Sequence, residues 1–206
     1  MCSIIASPHK EEFLDLMNAN RRRGVKGCSI HTWGDKLEKI YEGVPQDTYD
    51  LPDDQYLIGH YLSPTGKVNN AHPCKIDQTY LWHNGMLKQG CMRDIRTDTL
   101  GDWDTAYIAD EFNVLFTYAD TNPNFTKLDG SFACLGINLD TPNEVFAFRN
   151  AISPLFRDQR TFSSVPFDGG ESVAPNHIWR YSLASVSEDD VSNMGEFVSK
   201  SDHLRL

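Results

Sequence analysis

A cysteine at position two is the residue in this chain best placed to do chemistry. Small residues next to an initiator methionine permit its removal, which would leave Cys2 with a free α-amino group. Such an amine has a reference pKa of about 7.7–8.0 and a thiol one of about 8.5. The amine can therefore accept the thiol's proton near neutral pH, directly or through a water. Nucleophile and base would then share one residue, with no histidine needed. Taken alone the position is a weak sign, because buried structural cysteines are common.

Three short motifs could complete such a site. In Leu81-Trp82-His83-Asn84-Gly85-Met86 an apolar strand end meets Asn-Gly, a strong two-residue hairpin signal. The Asn84 amide nitrogen and the Gly85 N–H could also both face a developing oxyanion, and a tight turn would fix these donors in advance. Asn70-Ala71-His72-Pro73 reads as a turn, with His72 as a structural hydrogen-bond donor or as part of a catalytic pocket. Asp102-Trp103-Asp104-Thr105 opens a helix, which Asp102 or Asp104 could cap. Asp104 could instead bind a substrate ammonium group. Each motif by itself is more simply structural.

The elements that must position these residues follow from periodicity. Residues 2–6 form a short apolar run, a candidate buried strand. Ser7 as cap and Pro8 at the first helical position predict a helix with Phe13, Leu14, Leu16 and Met17 on its apolar face, ending before Gly24. Ile108, Ala109, Phe112, Leu115 and Phe116 give a second helix over 102–118. Gly27–Trp33, Tyr56–Leu62, Thr79–His83, Ser131–Asn138 and Val145–Arg149 read as strands, the last two joined by a hairpin loop over 139–143. Strands with two separated helices predict an α+β layered domain over 2–184. After Leu183 the chain turns polar and acidic, and 185–206 is expected to be a tail, as a surface helix or frayed.

Composition narrows the functions. A chain of 206 residues can form one full domain. A net charge of −10 opposes nucleic-acid binding. No apolar run is long enough to span a membrane, and the N-terminus does not read as a secretory signal. Five cysteines without regular spacing argue against a disulfide framework and for a cytoplasmic, reducing location. Cys28-x-x-His31 and His72-x-Cys74 have ligand-like spacings but no Cys-x-x-Cys pair accompanies them, so no metal is expected. No phosphate loop, dinucleotide fingerprint or Gly-x-Ser-x-Gly elbow is present, and no cofactor is expected.

Taken together and in order, the motifs resemble the class II glutamine amidotransferase domain. The resemblance covers most of residues 2–165. It is carried by Cys2-Ser3-Ile4-Ile5, Arg23-Gly24, Gly59-His60 running to Thr65-Gly66, Asn70-Ala71-His72-Pro73, His83-Asn84-Gly85, Asp104-Thr105, Leu128-Asp129-Gly130-Ser131-Phe132-Ala133, and Val145–Arg149 with Ser153-Pro154-Leu155. It implies an Ntn-hydrolase αββα sandwich, two antiparallel sheets between helical layers. It also implies that Cys2 attacks the glutamine side-chain amide while Asn84 and Gly85 stabilise the oxyanion. Ammonia leaves and water hydrolyses the thioester. Asp104 would hold the α-ammonium, with His72, Arg23, Tyr61 and Thr65 around the substrate.

The sequence departs from the family at the arginine that binds the substrate carboxylate. Gly59–Gly66 contains none, and Tyr61 or Leu62 takes that slot. An arginine fork makes two charge-assisted bonds that tyrosine cannot reproduce. Arg23 or Lys67 would have to replace it. Two rivals therefore stand beside the glutaminase: an N-terminal-cysteine amidase or acylase acting on another amide, and an inactive partner subunit. For the glutaminase, the chain's length implies that ammonia passes to a separate synthetase or transferase chain.

Overall fold

Side chains alternate across a strand, so a strand covered on both faces must be apolar on both. Ser3–Ser7 (β1) is such a strand, buried at every position. The computed structural model describes residues 2–63, 71–88, 103–118, 123–184 and 191–201. Thr65, Lys67, Asn70 and Asp102 lie outside them.

After β1 come helix α1 (Lys10–Asn20), a 3₁₀ turn (Arg21–Arg23), β2 (Gly27–Trp33), β3 (Leu37–Gly43), β4 (Tyr56–Leu62), β5 (Cys74–Ile76) and β6 (Thr79–Leu87). Helix α2 (Asp104–Thr117) and a 3₁₀ turn (Phe125–Lys127) follow. The remaining strands are β7 (Gly130–Asn138), β8 (Glu144–Arg149), β9 (Phe156–Asp158), β10 (Thr161–Ser163), β11 (Glu171–Ser172), β12 (His177–Ser182) and β13 (Val191–Glu196). They build a seven-stranded sheet, β11-β9-β10-β1-β4-β2-β3, and a six-stranded sheet, β13-β12-β8-β7-β6-β5. Neighbouring strands pair antiparallel throughout.

Alternation divides the core into three slabs. Ile5, Ile30 and Leu57 point out of the first sheet onto Phe13, Leu16 and Met17 of α1. Ile4, Ala6 and Ile58 point the other way, onto Trp82, Leu135, Val145 and Ala147 of the second sheet. Leu81, Cys134, Phe146 and Phe148 leave the far side of that sheet to meet Ile108 and Phe112 of α2. The order is helix, sheet, sheet, helix, the predicted αββα sandwich. Each fully buried Ile, Leu or Phe contributes about 1.5–3 kcal/mol. Gly136 lets α2 come close, because a Cβ there would lie 2.4 Å from the Phe112 ring.

Three local expectations change. Ser7 does not cap α1: it ends β1, and its hydroxyl accepts from the His9 N–H at 3.0 Å while donating to Glu12 at 2.6 Å. Asn84-Gly85 is not a hairpin turn, because β6 runs on to Leu87 in continuous register with β7. Val191–Glu196, expected within a surface helix or frayed tail, is a strand on the edge of the second sheet. Beyond it the Ser201 hydroxyl accepts from the Gly130 N–H at 2.6 Å and donates to Asp129 at 3.0 Å. Pairing with β12 overrides the polar composition of this segment, a tertiary effect that local pattern does not carry.

Candidate active site

Cys2 stands at the head of β1, which is held between β10 and β4 inside the first sheet. Its side chain is buried, with 6% exposure. The Ser63 N–H points at Sγ from 3.5 Å, and Arg23 Nε donates to the Cys2 carbonyl at 3.3 Å. Burial pushes the thiol pKa up; the Ser63 N–H, the chain's amino terminus and the Arg23 guanidinium oppose this, while the Asp104 carboxylate adds to it. The sulfur therefore needs a base to ionise near neutral pH.

Across the sandwich, Asn84 lies on β6 with its side chain turned toward the first sheet. Its Nδ2 donates to Ser164 Oγ at 3.3 Å, and the same oxygen accepts from the Ile4 N–H at 2.9 Å. The Asn84 amide is thus two hydrogen bonds from the main chain of β1, on the strand that Cys2 leads. Gly85 follows. Opposite it in β7 is Phe132, whose N–H donates to Asn150 Oδ1 at 3.3 Å and whose carbonyl accepts from the Asn150 N–H at 3.0 Å. Both Phe132 groups face away from β6, so Gly85–Phe132 is a non-hydrogen-bonded pair. The Gly85 N–H is therefore directed to the other edge of β6, beyond the place where β5 stops opposite Leu81.

That edge is organised on either side of Gly85. The His83 carbonyl accepts from His60 Nε2 at 3.0 Å, and the Leu87 N–H donates to Asp104 Oδ2 at 3.1 Å. Gly85 itself has φ of 155°, and a Cβ there would lie 2.0 Å from the Ser131 carbonyl oxygen and 2.7 Å from His83 Nε2. Only glycine fits.

Asp104 is the first residue of α2, not its cap; Trp103 takes the cap position in extended conformation, without a side-chain cap bond. The carboxylate is 23% exposed and lies 3.9 Å from His83 Nδ1. His72, ahead of a cis proline peptide, stacks on His60 with ring centres 3.8 Å apart. Thr105 Oγ1 stands 3.0 Å from His72 Nε2 and 3.2 Å from His83 Nδ1. Burial depresses the basicity of His72 and His83 and takes His60 down to about 3. For His83 the Asp104 carboxylate opposes the shift.

Of the residues expected to surround a substrate, the structure links Cys2, Arg23, Asn84, Gly85, Asp104 and His72 through these contacts. Tyr61 is placed apart: it faces outward with Phe13, Met17 and Ile5 on the α1 side of the sheet. Thr65 lies outside the described residues. Cys28 and His31, three apart on β2, point to opposite faces, Cys28 into the α1 slab and His31 edge-on to Trp82 between the sheets. Among the described residues no group of three His, Cys, Asp or Glu is arranged to hold a metal ion. No helix among them is long and apolar enough to cross a membrane. The role of Ser164 had no signal in the sequence, since its partners are 80 and 160 residues away.

Two facing antiparallel sheets with a helix against each outer face form the αββα sandwich of the N-terminal-nucleophile hydrolases. Among solved structures the chain is similar to glutamine phosphoribosylpyrophosphate amidotransferase from B. subtilis complexed with ADP and GMP, with a TM-score of 0.59 over 95% of this chain and 50% of that one. It is also similar to a structure described as the allosteric regulatory enzyme of purine biosynthesis, with a TM-score of 0.62 over 94% of this chain and 48% of that one. Identity is 16% in both cases, so the fold is what they share. The chain spans about half the length of each of these proteins. No family model and no curated protein matches the sequence. The first of these neighbours is a glutamine amidotransferase, the kind of enzyme whose class II domain the sequence motifs resemble.

Proposed function

We propose that this chain is a glutamine-hydrolysing domain of the class II amidotransferase type, with Cys2 as nucleophile after removal of Met1. The observation that carries the reading is the shared Ser164 oxygen, which ties the Asn84 amide to the strand led by Cys2. A nucleophile and an oxyanion donor held on two facing sheets are the minimum for acyl transfer.

In this reading the Cys2 amine takes the thiol proton as Sγ bonds to the side-chain amide carbon of glutamine. The carbonyl oxygen becomes an oxyanion facing the Asn84 amide and the Gly85 N–H. Collapse breaks the C–N bond, and the nitrogen leaves as ammonia with the proton returned by the amine. Water, deprotonated by the same amine, then attacks the thioester, giving glutamate and restoring the thiol. Asp104 binds the α-ammonium. Arg23, half-buried and already bonded to the Cys2 carbonyl, is the candidate for the α-carboxylate. Delivery of ammonia to an acceptor enzyme on a separate chain belongs to the same proposal, and crosslinking with mass spectrometry tests it.

A different amide substrate is favoured by one observation: β4 presents Tyr61 to the helix layer and contains no arginine. The experiment that decides is mass spectrometry after treatment with a glutamine-mimicking diazoketone, beside a hydrolysis assay on glutamine and other small amides. The mature chain should begin at Cys2 and carry one adduct on that sulfur. A retained Met1, or labelling at Cys28 or Cys74, rejects the mechanism; turnover of another amide in place of glutamine rejects the substrate.

A further inference from the structure

Residue 83 is held at three points, and two of them fix where its proton lies. His83 Nε2 is 3.4 Å from the Ser131 carbonyl oxygen, and Nδ1 is 3.2 Å from Thr105 Oγ1. A carbonyl can only accept, so a neutral ring must carry its hydrogen on Nε2. Nδ1 is then a bare acceptor, and its partner must be the Thr105 O–H. The hydroxyl has a single proton, so its oxygen faces His72 Nε2, at 3.0 Å, as an acceptor. His72 must therefore also carry its hydrogen on Nε2. This agrees with His72 Nδ1, a buried atom without a hydrogen-bond partner among the described residues. The third point is the His83 carbonyl, which again can only accept, here from His60 Nε2 at 3.0 Å.

The chain of donors has one direction: His72 Nε2–H to Thr105 Oγ, Thr105 O–H to His83 Nδ1, and His83 Nε2–H to the Ser131 carbonyl. It ends beneath Gly85, where a Cβ would meet the His83 ring nitrogen at 2.7 Å. The ring therefore forms the floor on which the Asn84–Gly85 backbone rests.

We propose that Thr105 is a positioning residue of this site, its hydroxyl locking His72 and His83 in the Nε2–H form and thereby holding the Asn84–Gly85 donors in register with the substrate. Thr105 touches no reacting atom; it acts through His83. The inference deepens the glutaminase reading and rests on it for its catalytic consequence, whereas the proton positions stand independently of any substrate.

Two-bond proton–nitrogen correlation spectra of the full-length ¹⁵N-labelled protein at neutral pH test it. In the wild type both His72 and His83 should be neutral with hydrogen on Nε2. Thr105→Val, similar in shape but without the hydroxyl, should leave His72 a mixture of tautomers and shift the His83 Nδ1 resonance. It should also lower kcat for glutamine hydrolysis about tenfold with KM within about twofold, the signature of an interaction lost mainly in the transition state. Thr105→Ser keeps the donor and should restore both the spectrum and kcat to within about threefold of wild type. A hydrogen on Nδ1 of either ring, or an imidazolium at His83, overturns the proposal, and this needs only the wild-type protein. So does a folded Thr105→Val protein with wild-type spectrum and kcat, or a folded Thr105→Ser protein that rescues neither. If the histidine pattern holds and glutamine is not hydrolysed, the functional reading fails and the relay survives.

Discussion

Asn84 reaches across the interface between two sheets to donate to Ser164 at 3.3 Å, and Ser164 in turn receives the Ile4 N–H at 2.9 Å. The proposed oxyanion donor and the proposed nucleophile's strand are thus joined by one hydroxyl oxygen. Ser164→Ala should lower the melting temperature, because the Ile4 N–H is left buried without its acceptor, a cost of about 1–3 kcal/mol. It should also reduce glutamine kcat about tenfold by freeing the Asn84 amide. Thermal unfolding and steady-state kinetics on one preparation check both.

Asn84→Ala removes an oxyanion donor without touching the sulfur. Turnover should fall by roughly 10²–10³ while the diazoketone still labels Cys2. A rate within threefold of wild type would exclude Asn84 from the transition state.

Gly85→Ala should be far more damaging to folding than a surface change of the same size. The added carbon would lie 2.0 Å from the Ser131 carbonyl oxygen, at a φ that side chains resist. A loss of about 3 kcal/mol or more in denaturant unfolding is expected, because the β6–β7 ladder must shift.

Asp104→Asn keeps an oxygen for the Leu87 N–H and removes the negative charge. If Asp104 binds the α-ammonium, KM for glutamine should rise about 10–100-fold, the value of a charge-assisted bond, with a smaller change in kcat. Substrate analogues lacking the ammonium group should bind wild type and variant alike.

Acid should destabilise the fold well above the carboxylate range. Burial holds His31 down to about 4 and His60 to about 3. Both have lowered folded-state values, so between about pH 6.5 and those values the unfolded chain takes up protons that the native state refuses. Their stabilising contribution is fully present above pH 6.5 and is lost as pH falls toward 4 and then 3. His31 alone accounts for a loss on the order of 3 kcal/mol by pH 4. His31→Phe, which keeps a ring beside Trp82 and removes a buried Nδ1 that lacks a partner among the described residues, should flatten the pH dependence of the melting temperature over this range.

The long strands were legible because their alternation or continuous apolarity is local. Gly27–Trp33 and Tyr56–Leu62 form with the predicted limits. Strands of two or three residues, such as β5, β9, β10 and β11, are too short to show a period. Leu37–Gly43 hid its identity behind Glu38, Lys39 and Glu42, the charges that keep an edge strand from pairing with another molecule. For the candidate site, motif order alone singles out Cys2, Asn84, Gly85, Asp104 and His72. Their connectors could not, since Thr105 joins His72 to His83 through contacts spanning 33 and 22 residues. Asn-Gly carries a strong turn preference, yet the ladder to Ala133 and Phe132 outweighs it.

The place of β1 within its sheet has a consequence for biosynthesis. Ile5 pairs with Gly59 on one side and with Ser163 on the other. A ribosome must therefore release most of this polypeptide before its first residues can be enclosed, and the thiol at position two stays outside any finished pocket until then. On the proposed mechanism, the Cys2 site is completed only with the closing of a contact among the most distant in the chain.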